Sequence, residues 1–100
     1  MTKHELVLDF IWQFRKFGSD VADAFSNGMC FHFTTILRHR FGCGWCTIMY
    51  DQVANQFATQ IASRIYDITG DITDAPEYHW ERWSDVRKKD PALAKIIRRD

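Results

Sequence analysis

Charge of one sign is missing from this sequence: 13 basic residues stand against 13 acidic ones, and the formal net charge is zero. Without a net field there is no global attraction to nucleic acid or to a membrane surface. Long apolar runs are missing too, and none approaches the ~20 residues that span a bilayer. The first nine residues include Lys3, His4, Glu5 and Asp9, so they lack the apolar centre of a secretory leader. No internal repeat, low-complexity tract, phosphate loop, dinucleotide fingerprint or paired-carboxylate motif is present. An even cysteine count is the last absence. Three thiols cannot all pair within one chain. That argues against a disulfide framework and leaves metal binding, redox chemistry, catalysis or packing. With free thiols, the expected compartment is the reducing cytoplasm, with no membrane association.

What remains is a chain of 100 residues, 46% hydrophobic and 15% aromatic. This suits one folded domain, residues 1–100, burying roughly 60–65% of its unfolded surface. Thr2-Lys3-His4-Glu5 fits a capping box, and Leu6, Phe10, Ile11, Phe14 and Phe17 recur at helical spacing after it. The spacing predicts a helix over about 3–17. Val21, Ala22 and Phe25 form a short bridge, and Ser26-Asn27-Gly28 punctuates the chain before a second helix from Met29 to Phe41. Cys30, Phe33, Thr34, Leu37 and Phe41 share one face of it. Beyond Gly42-Cys43-Gly44 the period changes. Trp45 to Tyr50 reads as a strand, and Phe57, Thr59 and Ile61 alternate with Gln56, Ala58 and Gln60. Arg64 to Thr69 is a third strand, joined through Ala62-Ser63, a link without the usual Gly or Asn. Asp90-Pro91 starts a last helix. The expectation is an α+β fold: N-terminal helices packed on a three-stranded antiparallel meander, with C-terminal helices.

Cys30 is the first candidate for chemistry. A thiol in the first turn of a helix is favoured as thiolate, and with a base and an orienting group it is a nucleophile. The competing reading is a small core residue beside Phe33 and Leu37. Here a resemblance enters. The run from Asn27 to Leu37, then Asn55-Gln56-Phe57, then Tyr66-Asp67-Ile68-Thr69-Gly70, resembles small papain-like cysteine hydrolase folds, especially compact phage- and prophage-type proteins. In that pattern a glycine-introduced helix carries Cys, the next strand a His, and the following strand a Tyr-Asp pair. The resemblance implies a site of Cys30, Gln56 and Asp67, with Gln56 standing where His is expected. An amide cannot take and return a proton near neutral pH. The implied site is therefore degenerate, unless His79 enters from the tail. His32 and His39, two and nine positions from Cys30, point roughly 160° and 180° away from it on a helix.

Cys43-Gly44-Trp45-Cys46 is the second candidate. A C-x-x-C pair can clip zinc or cycle as a dithiol. It precedes a strand rather than opening a helix, and His39, Cys43 and Cys46 make a zinc set one ligand short. The expectation is no cofactor. The third candidate is the tail. Seven of the 13 basic residues lie between Arg82 and Arg99. Arg87, Lys88 and Lys89 are diluted by Glu81, Asp85 and Asp90, which favours a solvated helix face over a nucleic-acid contact. Tyr78, Trp80 and Trp83 next to them are of the types enriched at protein-binding hot spots. The resemblance, with Gln56 in place of the base, implies a phage or mobile-element protein that is non-catalytic and binds and inhibits a bacterial host factor, such as a defence complex. The alternative is an active thiol hydrolase, a peptidase or amidase, with Cys30 as nucleophile.

Overall fold

The computed structural model describes residues 2–16, 30–42 and 44–98, with residues 94 and 96–98 described by their backbone alone. The expected bridge at Val21–Phe25, the Ser26-Asn27-Gly28 punctuator and Cys43 lie outside the described residues. Helix α1 spans Lys3–Arg15 and is opened by the expected capping box: Glu5 N–H donates to Thr2 Oγ1, and the Glu5 carboxylate accepts from Thr2 N–H. Its buried stripe is Val7 and Ile11, with Leu8, Phe10 and Phe14 packed beside it, while Leu6 is exposed. Helix α2, Cys30–Phe41, buries Phe33, Thr34 and Leu37, the face that the periodicity indicates.

The sheet has five strands rather than three: β1 (Cys46–Asp51), β2 (Gln56–Ile61), β3 (Arg64–Asp67), β4 (Gly70–Asp71) and β5 (Glu81–Arg82), in the order β4-β3-β2-β1-β5. All pairings are antiparallel. The two extra strands are two residues long, too short for an alternating pattern to betray them. Helices α3 (Trp83–Lys89) and α4 (Pro91–Arg98) follow. Asp90 caps α4, its carboxylate accepting from Leu93 N–H at 3.0 Å. Among the described residues no helix is long and apolar enough to cross a membrane.

Strand parity assigns the sheet's faces. Cys46 pairs with Ile61 and Tyr50 with Phe57, so these residues share one side, and Tyr66, paired with Thr59, joins them. That side carries two apolar clusters. One joins α1 and α2 to Cys46, Ile61, Tyr66 and Ile68. The other joins Tyr50 and Phe57 to Trp83 and Val86 of α3. His4 Nδ1 and the buried Tyr66 hydroxyl share a 2.6 Å hydrogen bond that ties α1 to β3. Burial, then the neighbouring Asp71, push the Tyr66 phenol above its usual pKa, with Arg64 opposing them, so it stays protonated. The second side is covered as well: Met49, Asp51 and Ala58 are buried there. Ile72 N–H, donating to Ile65 O, extends the β3–β4 ladder, and the chain then runs from the β4 edge of the sheet to the β5 edge, where β5 pairs with β1.

Two local features yield predictions. The tight link between β2 and β3 holds Ala62 at φ 57°. A left-handed backbone costs an L-residue about 1–2 kcal/mol, whereas glycine forfeits only about 0.5–1 kcal/mol of chain entropy there. Ala62→Gly is expected to stabilise the protein by about 0.5–1 kcal/mol. A lower urea midpoint for the variant contradicts this.

Asp71 accepts from Thr73 N–H and the Thr73 hydroxyl, and pairs with Arg64 at 3.2 Å. Burial alone would raise its carboxyl, but the Thr73 bonds, Arg64 and His4 outweigh burial and hold the pKa below the usual value. A depressed carboxylate contributes stability above its unfolded pKa, near ~4, and loses it as the pH falls through the folded value. Asp71→Asn should therefore cost about 1 kcal/mol at pH 7. That deficit should shrink in acid, and urea titrations at neutral and acidic pH read it. An undiminished deficit in acid contradicts the account.

Candidate functional site

Cys30 opens α2 as a half-buried free thiol. It packs with Phe31 against the cluster of Tyr50, Phe57, Trp83 and Val86. The rings there interlock edge to face: Phe57 and Trp83 lie 4.9 Å apart at 82°, Tyr50 and Trp83 5.2 Å apart at 61°, and Phe31 and Phe57 5.0 Å apart at 72°. The Tyr50 hydroxyl donates to Asn55 Oδ1 at 2.7 Å. Burial raises the Tyr50 phenol above its ordinary pKa, with smaller contributions from Asp51, Cys30 and Asp90. Among the described residues Cys30 has no hydrogen-bond partner, histidine included.

Gln56 and Asp67 are placed differently. Gln56 precedes Phe57 and pairs with Asp51, so parity sets it on the side of the sheet away from the Tyr50–Phe57–Trp83 cluster. Asp67 follows Tyr66 and faces that same far side. Its carboxylate is engaged locally, accepting from Thr69 N–H at 2.8 Å and from the Thr69 hydroxyl. The fold thus brings Gln56 and Asp67 to one face and Cys30 to the other. His79 is exposed and lines a cleft with Asp51 and Trp80, also on the far side.

Cys46 is buried, its thiol directed to the Leu37 carbonyl at 3.9 Å, and His39 is exposed. Among the described residues no group of three or more His, Cys, Asp or Glu side chains is arranged to hold a metal ion.

The expected contact residues divide. Trp83 is 3% exposed and belongs to the core, because an amphipathic α3 can dock on β1 only by burying it. Tyr78 and Trp80 are half-buried and stack at 4.7 Å, and burial raises the Tyr78 phenol above its usual pKa. Arg87, Lys88 and Lys89 are exposed on α3. The rings turned outward are Trp12, which sequence reasoning passed over, and Trp45, which it read only as part of a strand and of the C-x-x-C turn: they are 56% and 68% exposed. Lys3 Nζ sits 3.9 Å from the centre of the Trp45 ring, a cation–π pair. The available signal for Trp12 was its position outside the apolar stripe of α1.

Residues 7–95 match the family described as Phage YunG-like protein. No curated protein and no solved structure matches the chain.

Proposed function

This chain belongs to the phage YunG-like family, and from that premise we propose that it is a non-catalytic binding protein that inhibits a bacterial host factor. The target class is a defence complex met in the host cytoplasm. The likeness to papain-like hydrolases is confined to the order of the Cys-bearing helix and the strands, because the residues of the implied site do not come together. One observation carries the reading: Cys30 is packed among aromatic rings on one side of the sheet, while Gln56 and Asp67 stand on the other. A thiol needs a base within hydrogen-bond reach to act as a nucleophile. What the surface offers instead is recognition chemistry: the exposed Trp12 and Trp45, the Tyr78–Trp80 stack, and Arg87, Lys88 and Lys89 on α3.

Plating efficiency tests this. The protein is expressed in hosts carrying defence complexes and challenged with a restricted phage. The wild-type chain is expected to restore plating, and so is Cys30→Ser. The triple charge reversal of Arg87, Lys88 and Lys89 to Glu is expected to lose the effect while remaining folded. Loss of activity in a folded Cys30→Ser protein would overturn the reading in favour of the thiol hydrolase. Failure of the wild type to restore plating against every complex tried would sink the defence target.

A further inference from the structure

Between α2 and α3, above β1, lies a cavity of about 250 Å³ lined by Arg38, Cys46, Thr47, Ile48, Trp83, Ser84 and Arg87. Its polar lining is made of hydrogen-bond donors and hydroxyls, with no carboxylate. Two of the lining residues, Trp83 and Arg38, each carry a buried side-chain N–H, Nε1 and Nε, without an acceptor among the described residues. Trp83 is itself 97% removed from solvent, being 3% exposed. Among the described residues neither Arg38 nor Arg87 is in an ion pair, the one such pair being Arg64 with Asp71. An unpaired buried donor is costly to keep, and two neighbouring guanidinium groups repel each other. An oxyanion in the cavity offsets the charge of both guanidinium groups that line it.

We propose that this cavity is a phosphate-binding site, taking inorganic phosphate or the phosphate group of a monoester. Two guanidinium groups with no carboxylate between them match a dianion better than a monovalent carboxylate. Guanidinium forks fit phosphate oxygens in a bidentate manner, and the Ser84 hydroxyl adds a donor. The volume lies below the ~300–1,000 Å³ of pockets that hold drug-sized ligands, so the site takes a group rather than a whole large molecule. The cleft on the far side of the sheet is a different case. There the unpartnered Asp51 Oδ2 and Trp80 Nε1 are an acceptor and a donor, a combination that does not select an anion. The phosphate site uses neither Cys30 nor Gln56 but shares Arg87 with the recognition surface proposed above; titration of the isolated protein with phosphate tests it without a partner present.

The Trp83 indole N–H reports on the site directly. The chain has four tryptophans, hence four indole signals in a 1H–15N spectrum. At constant ionic strength, inorganic phosphate is expected to shift the Trp83 signal saturably, with half-saturation near about 1–10 mM. Arg87→Gln, at an exposed position that the fold does not need, is expected to weaken the response at least about tenfold. Acetate is expected to bind at least about tenfold more weakly than phosphate. Phosphoserine and adenosine monophosphate, run as separate arms, identify the bearer: a tighter response to either one assigns the phosphate to a side chain or to a nucleotide, and a tighter response to phosphate assigns a free ion. The proposal is overturned if none of the three shifts the Trp83 signal saturably up to about 100 mM. An undiminished response in Arg87→Gln overturns it too, as does acetate binding as tightly as phosphate.

Discussion

Replacing Trp83 by alanine is expected to lower stability by about 3–5 kcal/mol, the range for deleting a large buried aromatic. Trp83 is 3% exposed and meets Phe31, Tyr50 and Phe57 at centroid distances of 6.3, 5.2 and 4.9 Å. It is the residue through which α3 docks on β1. A domain of this size has about 5–15 kcal/mol in hand, so the variant should lie near the edge of folding. Each kcal/mol moves the melting temperature of such a domain by about 4–8 °C, which predicts a fall on the order of 15–30 °C. Trp83→Phe should recover most of the loss, because the indole N–H has no protein acceptor to forfeit. The same substitution reports on Cys30, which packs on this cluster. Alkylation of Cys30 by iodoacetamide should be slow in the folded wild type and faster in Trp83→Ala. A Trp83→Ala protein within about 1 kcal/mol of wild type would mean that α3 is not held by this cluster.

The parts of the molecule that could be read in its sequence are those set by local chemistry. The Thr2–Glu5 capping box fixed the start of α1, Asp90-Pro91 the start of α4, and Ala62-Ser63 stood out as a turn without the residues that turns prefer. Ala62 indeed carries a positive φ. The parts that escaped were set by partners. The spacing put Leu6 in the apolar stripe of α1, but Leu6 is exposed and its neighbour Val7 is buried, because packing of α1 against the sheet's cluster decides which of two adjacent apolar residues turns inward. Strands β4 and β5 exist because neighbouring strands offer free edges, not because two residues carry a pattern. At the candidate site two sequence signals conflicted. The order of Cys30, Gln56 and Asp67 suggested one cluster, whereas the alternation of Gln56 with Phe57 put the glutamine on the side opposite the apolar face. The fold follows the alternation, since a strand with one apolar side must turn that side to the helices.

Leu37→Ala is the companion to Trp83→Ala, with an expected loss of about 2–5 kcal/mol. Leu37 is 0% exposed and belongs to the other cluster, where α2 meets Val7 and Ile11 of α1 and Cys46 and Ile61 of the sheet. The range is wide because the cost depends on how far the surroundings collapse into the cavity. Phe14 and Phe33, at 5.4 Å, and Phe10 and Phe41, at 5.7 Å, surround the site with rings that resist collapse, which favours the upper half of the range. The two variants should differ in what they release. The Leu37 cluster holds α1, so Leu37→Ala should speed amide exchange across Lys3–Arg15 before it does so in α3. The Trp83 cluster holds α3, so Trp83→Ala should speed exchange across Trp83–Lys89 and spare α1. Identical exchange patterns would show that the two clusters open as one unit. Separate patterns would mean that the α3 edge, with Cys30 and the Arg38–Arg87 cavity against it, can loosen for a partner while α1 and the sheet stay folded.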